Sequence, residues 1–273
     1  MFMSVLGLGQ SFGRASRQWY GESLVLTPVT HDQQRVNVPH AHEAAFVTMM
    51  LDGEYAETAA SRSFRFERFT TVYHPPGMEH QDFVGRPGVR LLMFEFRPDL
   101  TADLGNQRAA LASVRDLSGS RAAFELLSLY RGAVSADDAL EFEARSLELV
   151  ARLVAAPSLR SRDLPSLSRA RDYLHQHYQD VVTMRDVAGA AGVHPVYLGQ
   201  MFRRETGETV GEYVTRLRVR AAAEQLSSSE TPLAVVAFEH GFCDQSHFQR
   251  AFKRVSGCTP AEFRRAFGAT LRR

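Results

Sequence analysis

From Leu24 to Phe96 the apolar residues fall in short clusters separated by turn-forming residues. Leu24, Leu26 and Val29, then Ala45 to Leu51, then Phe64, Phe66 and Phe69, then Leu91 to Phe96 are rich in β-branched or aromatic side chains. Between them lie Asp52-Gly53, Pro75-Pro76-Gly77, Gly85 and Arg86-Pro87-Gly88. Short strands at this spacing predict an all-β barrel or sandwich. After Pro98 the period changes. Leu140, Ala144, Leu147, Val150 or Ala151, and Val154 recur every three or four residues, with Glu141, Glu143, Arg145, Glu148 and Arg152 between them. That pattern predicts an amphipathic helix opened by Ser135, with Asp138 three residues on. Its apolar stripe needs cover, either a barrel wall or a second subunit. Pro157, Ser158, Ser161 and Pro165 mark the stretch from Ala155 to Pro165 as a linker. Everything beyond it is helical in pattern.

That helical half contains an internal repeat. Val187-Ala188 … Gly192 … His194-Pro195 … Leu198 … Phe202-Arg203-Arg204 … Gly207 aligns with Val236-Ala237 … Gly241 … Asp244 … Phe248 … Phe252-Lys253-Arg254 … Gly257. Alanine to glycine is four residues in both copies, and phenylalanine to the last glycine is five. The second copy has one extra residue in its turn. Each copy reads as helix, glycine turn, helix, with small residues where two helices must cross closely. Thr183 with Asp186 caps the first helix of copy one; in copy two Thr231 is read as the cap and Pro232 as the first helical residue.

If Leu198 and Phe202 face inward, copy one turns out Val196, Tyr197, Gly199, Gln200 and Arg203. If Phe248 and Phe252 face inward, copy two turns out Gln245, Ser246, Gln249, Arg250 and Lys253. Gln pairs with adenine, Arg with guanine, and Val packs on a thymine methyl, so these faces suit base edges. Arg203, Arg204, Lys253 and Arg254 lie further along and suit phosphates. His247 is read as facing DNA too, and His240 as a helix C-terminal residue favoured by the dipole. Two hairpins that merely pack together would give a similar repeat. The tandem copies and their polar outward faces favour nucleic acid.

Charge strengthens that reading. The 273 residues carry 32 basic and 31 acidic side chains, but residues 1–159 sum to −4 and residues 160–273 to +5. The near-neutral total therefore joins an acidic half to a basic half suited to a polyanion. Two cysteines, Cys243 and Cys258, cannot staple a chain this long, so a reduced interior is expected and both are read as inert rather than as a redox switch. The longest apolar run, Ala44 to Leu51, falls well short of a membrane span. With no basic residue ahead of the mildly apolar Met1 to Gly9, no signal peptide is expected, and the cytoplasm is the expected location.

Residues 163–273 resemble the DNA-binding domain of AraC/XylS-type transcription regulators. The resemblance rests on the two helix-turn-helix units, on a long joining helix at about Val210 to Leu226, and on Gly241-Phe242 … Asp244-Gln245-Ser246-His247-Phe248 … Phe252-Lys253 … Gly257 … Thr259-Pro260 … Phe263-Arg264. It implies two recognition helices in adjacent major-groove segments about 34 Å apart. Gly199 stands where the family often has a polar reader, so copy one is expected to contribute less specificity.

Five of the ten histidines lie between positions 31 and 80. His40-Ala41-His42 and Pro75-Pro76-Gly77-Met78-Glu79-His80 resemble the two motifs of the cupin barrel, the usual sensor domain of AraC-type regulators. The resemblance implies that His40, His42 and His80 converge, to bind an effector, to pack, or to hold Zn²⁺, Fe²⁺ or Ni²⁺. The metal-binding pattern wants a glutamate where Phe46 and Val47 stand and an asparagine where Val84 stands; Glu43 points to the opposite face. No resident cofactor is therefore expected. His31 and His74 are read as ordinary surface or strand residues.

The expected architecture is an α+β chain of two domains. It comprises a cupin-like barrel (1–100) with an appended helical region for dimerisation and coupling (101–157), and an all-α tandem helix-turn-helix domain (163–273). The expected function is non-enzymatic: promoter binding controlled by a small-molecule effector, as a homodimer able to contact RNA polymerase, with no membrane involvement. A cupin metalloenzyme with a helical appendage, or an adaptor that binds another regulator, are the competing readings.

Overall fold

The computed structural model describes residues 4–59, 62–98, 112–135, 138–155 and 164–268. The fold is α+β and divides into two compact units, Met1–Ser118 with Ala122–Ala156, and Gly119–Arg121 with Pro157–Arg273. Among the described residues no helix is long and apolar enough to cross a membrane.

The first unit is a curled half-barrel sheet. Its strands are β1 (Ser4–Leu6), β2 (Arg14–Ala15), β3 (Trp19–Tyr20), β4 (Leu24–His31), β5 (Arg35–Val36), β6 (His40–His42), β7 (Phe46–Ala59), β8 (Arg62–Phe66), β9 (Thr71–His74), β10 (His80–Phe96) and β11 (Arg115–Asp116). The order β1-β6-β10-β7-β9-β11 forms the spine, with β4 and β5 also on β10 and β8 on β7. The two long strands make the curl. The first half of β10 pairs with β5 and β6 and its second half with β4, while β7 pairs with β9 at one end and β8 at the other.

Where these two strands bend, their register shifts between Val84 and Val89 and again between Arg90 and Leu91. Gly53 and Gly88 have φ of +105° and +75° at this bend. A Cβ on Gly53 would stand 2.2 Å from the Gly88 carbonyl oxygen, and one on Gly88 would stand 2.1 Å from that of His31. Asp52-Gly53, Gly85 and Arg86-Pro87-Gly88 are therefore not turns between strands, as the sequence suggests. They form a bulge inside two continuous strands, because a sheet this curled needs irregular backbone at its bend. Pro75-Pro76-Gly77 does reverse the chain, between β9 and β10.

Two helices complete the unit, α1 (Arg121–Ser135) and α2 (Ala139–Ala155). Ser135 ends α1. The cap of α2 is Asp138, whose Oδ1 accepts from Leu140 N and Glu141 N. Of the predicted stripe α2 buries Val150 but not Leu140, Ala144 or Leu147, so its covered face is rotated from the expected one. Phe142, Ser146, Leu149 and Val150 are covered, whereas Leu140 is 81% and Leu147 47% exposed. The Glu143 carboxylate decides the rotation by accepting from Glu22 N and from Ser23 N and Oγ at the start of β4. Val154 lies outside the residues whose side chains are described, as does most of the predicted linker.

The second unit is all helical: α3 (Pro165–His177), α4 (Met184–Ala191), α5 (Pro195–Thr206), α6 (Val210–Ser228), α7 (Leu233–Glu239), α8 (Gln245–Ser256) and α9 (Pro260–Phe267). Leu174, Val187, Ala188, Ala191, Leu198 and Phe202 are among the residues that form the core of its first half. Pro232 is the cap position of α7 rather than its first residue, and the Thr231 carbonyl accepts from Arg264 instead of starting the helix.

Candidate nucleic-acid interface and buried histidine pocket

Helices α4 and α5 form one helix-turn-helix, and α7 and α8 the other. Each turn passes through a left-handed glycine, Gly192 at φ 70° and Gly241 at φ 74°. Gly241 is also a close approach: a Cβ there would meet the Gln179 carbonyl oxygen at 2.3 Å.

From the second helix onward the two motifs repeat at a constant spacing of fifty residues, down to single hydrogen bonds. Thr206 Oγ1 donates to Phe202 O and accepts from Glu208 N; Ser256 Oγ donates to Phe252 O and accepts from Cys258 N. Thr209 with Glu212, and Thr259 with Glu262, form capping boxes on α6 and α9. Thr183 with Asp186 forms another on α4, as the sequence predicts. The repeat preserves the backbone satisfaction of each motif as well as its apolar pattern.

In α5, Leu198, Met201 and Phe202 are buried, while Val196, Tyr197, Gln200, Arg203 and Arg204 are exposed. In α8, Phe248, Ala251 and Phe252 are buried, and Gln245, Ser246, Gln249, Arg250, Lys253 and Arg254 are exposed. Gly199 is half-buried, with no side chain to extend. His247 is half-buried too: Phe242 packs edge-on against its ring at 5.4 Å, and its Nδ1 lies 3.2 Å from Cys243 Sγ. His194 caps α5 by accepting from Val196 N at 3.3 Å, and Asp244 caps α8 by accepting from His247 N at 2.6 Å. His240 donates from Nε2 to Gln225 Oε1 at 2.7 Å, and burial holds its pKa below 6.5. A neutral ring gains nothing from the helix dipole, so burial and this bond replace the predicted role.

In the first unit a small pocket of ≈ 30 Å³ opens between the sheet and the N-terminal segment. His40, His42 and His80 line it, and each is at least 96% buried. One nitrogen from each ring lies within 4.8 Å of the other two. His40 and His80 approach at a centroid distance of 4.1 Å because β6 and β10 pair at those residues. Phe12 closes one side, edge-on to His40 at 4.7 Å. Glu43 is exposed on the opposite face, and Phe46 stacks on His74 at 4.4 Å.

Sequence reasoning misses the carboxylates here. Asp82, two residues after His80, accepts from Asn37 Nδ2 at 2.9 Å and from Tyr55 OH at 2.7 Å. Burial pushes its pKa up, but His80, His40 and these two bonds outweigh it and hold it below 3.8. Glu95 is fully buried, accepts from Gly9 N at 2.8 Å, and is pushed by burial up to about 7. Desolvation lowers His42 and His80 to about 4, so both rings are neutral at pH 7. His74 is a strand residue, at the end of β9, and not a surface one: it is wholly buried, with Nε2 2.6 Å from Glu57 Oε1. His31 is buried at the end of β4, and burial depresses its pKa.

Residues 187–266 match a family model described as a helix-turn-helix domain. The chain is 32% identical over 93 residues to the regulatory protein SoxS of Salmonella typhimurium, covering 34% of this chain and 87% of SoxS. It is 30% identical over 124 residues to the HTH-type transcriptional regulator YisR of Bacillus subtilis, 45% of this chain but only 42% of YisR. To YobQ, another HTH-type transcriptional regulator of B. subtilis, it is 24% identical over 228 residues, 82% of this chain and 88% of YobQ. The tandem helix-turn-helix geometry and these relatives define the class as DNA-binding regulators. The chain belongs to the AraC/XylS family of transcription regulators.

Proposed function

We propose that the chain is a sequence-specific promoter-binding regulator controlled by a small ligand, with residues 1–100 as a cupin-like sensor, 101–157 as the dimerising and coupling region and 163–273 as the DNA-binding domain. The observation that carries this reading is the pair of equivalent helices α5 and α8, each with a buried aromatic or aliphatic face and an exposed polar one. Val196, Tyr197, Gln200, Gln245, Ser246, His247, Gln249 and Arg250 read base edges in two major-groove segments, while Arg203, Arg204 and Lys253 hold phosphates. The ligand enters the pocket around His40, His42 and His80. It acts only so far as it favours one of two states of the protein, which in turn differ in DNA affinity.

The exposed stripe of Leu140, Ala144 and Leu147 on α2 supports a homodimer. The helix buries one apolar face in its own unit and presents a second to solvent, and a second copy is the occupant proposed here. The regulator works in the cytoplasm and contacts RNA polymerase when bound at a promoter. Footprinting on the DNA upstream of its own gene tests the core of the reading. A protected site should span two adjacent major-groove segments, weaken steeply with salt, and lose sequence preference in the Gln249→Ala, Arg250→Ala variant. Binding equally weak on all sequences sinks it.

A further inference from the structure

We propose that Arg218 is a positioning residue for DNA reading. Its guanidinium ties the end of α3 to the turn of the second helix-turn-helix and so fixes the spacing of the two DNA segments that α5 and α8 contact together. The proposal rests on the promoter-binding reading and adds to it what sets the distance between half-sites.

Helix α6 belongs to both motifs. In its first half Val210, Tyr213, Val214 and Leu217 share one core with α3, α4 and α5. In its second half Val219, Ala222, Ala223 and Leu226 are buried, and α6 packs on α7, α8 and α9. A joint made of one helix sets a distance, but it leaves the second motif free to roll about the helix unless something off the axis stops it. Arg218, one residue past Leu217, supplies that second connection.

Its Nε donates to the Tyr178 carbonyl at 2.6 Å and its Nη2 to the Asp180 carbonyl at 2.7 Å. Tyr178 is the C-cap of α3, where carbonyls lack helical partners and a cation suits the dipole. On the other side the same guanidinium carbon lies 5.9 Å from the centre of the Phe242 ring. It is also 3.1 Å from where a Cβ on Gly241 would stand, and that Cβ would meet the carbonyl of Gln179. Residues 178–180 of the first half and the turn of the second motif therefore meet around one side chain. Phe242 carries the placement onward: its ring packs at 5.1 Å on Phe248 and edge-on at 5.4 Å to His247, both in α8. The fork of an arginine can bond two carbonyls while its flat face stays on a ring, which a lysine ammonium cannot do.

Two motifs held as a rigid pair engage both DNA segments at one spacing only. One base pair inserted between the segments moves the far one by about 3.4 Å and turns it by about 34–36°. A pair free to roll can follow that change, but it binds the native site more weakly because its order is lost before binding.

The test uses the footprinted operator and versions with one base pair inserted or removed between its two protected segments. Each is titrated with the full-length chain and with the Arg218→Ala and Arg218→Lys variants. The unaltered chain should prefer the native spacing by about 100-fold, because simultaneous engagement is lost otherwise. Arg218→Ala should bind the native site about 10-fold more weakly and distinguish the spacings by less than about 5-fold. Arg218→Lys keeps the charge without the fork and should follow alanine. Circular dichroism melts confirm that the variants are folded, and the lysine variant decides the matter alone if the alanine variant is not. A merely destabilised domain would bind every spacing more weakly and keep the ratio, so a folded variant with the unaltered ratio overturns the positioning role. So does a lysine variant that restores the ratio lost in alanine, since charge rather than the bridge would then be the cause. A specific footprint indifferent to spacing overturns the role and leaves the promoter-binding reading in place; with no specific footprint at all, both fall.

Discussion

Glu95, His42 and His80 are all displaced from their ordinary titration ranges by burial, and in opposite senses. The two histidines, at about 4 against 6.5 for an open ring, bind fewer protons folded than unfolded, so their contribution is complete above pH 6.5 and is lost as pH falls towards 4. Glu95, at about 7 against 4.5, binds more protons folded, so its contribution is lost as pH rises from 4.5 to 7. Each displacement is worth roughly 3 kcal/mol at about 1.4 kcal/mol per pH unit. Two histidines against one glutamate leave a net gain of roughly 3 kcal/mol in the first unit between pH 4 and pH 6.5, and His31 adds in the same direction. Trp19, the one tryptophan in the chain, reports this unit alone. Urea midpoints followed by its fluorescence should rise over that window, and more steeply in Glu95→Gln. A flat or falling midpoint contradicts the assignment.

Legibility at this scale depended on parity. His40-x-His42 and His80 are visible as alternation, and His80-x-Asp82 follows the same rule, so Asp82 could have been found. Glu95 could not. Counting alternately from His80 puts it on the outer face, but the bulge at residues 85–88 shifts the phase, so that Val84 and then Val89, Leu91 and Met93 share one cluster. His74 meets Glu57 only through the curl of the sheet, which no local pattern encodes.

At the scale of elements, helices α4 to α9 were legible because their signals are local. Caps, turn glycines and 3.6-residue spacing all lie within a dozen residues of one another, and the repeat states them twice. Helix α2 was legible as a helix but not in its rotation, since both of its faces carry apolar residues and a single distant contact, Glu143 on Ser23, chooses between them. Helix α6 joins the two helix-turn-helices. Its 19 residues span about 28 Å and fix the phase of the second motif against the first. One extra alanine in the middle of α6 should rotate α7 to α9 by about 100° and abolish footprint protection over one half-site. The helical content should stay within a few per cent by circular dichroism, and an unchanged footprint would show that the two motifs read DNA independently.

Across the whole molecule, a near-neutral total charge joins −4 in residues 1–159 to +5 in residues 160–273. The basic character of the helix-turn-helix half was visible in that arithmetic before any element was assigned. The pairing of β10 with β4 carries a different consequence, for the order in which the chain becomes functional. Residues 24–31 must find residues 89–96 across more than fifty intervening positions, whereas each helix of the second unit closes its own backbone hydrogen bonds within four residues. Distant pairings close slowly and local ones quickly. Stopped-flow refolding should therefore show far-ultraviolet helical signal recovering well ahead of Trp19 fluorescence. A chain caught in that interval would hold a finished DNA-binding half beside an unfinished sheet, so under the proposed function the lifetime of the sheet's closure bounds how long newly made protein can bind DNA beyond the reach of a ligand.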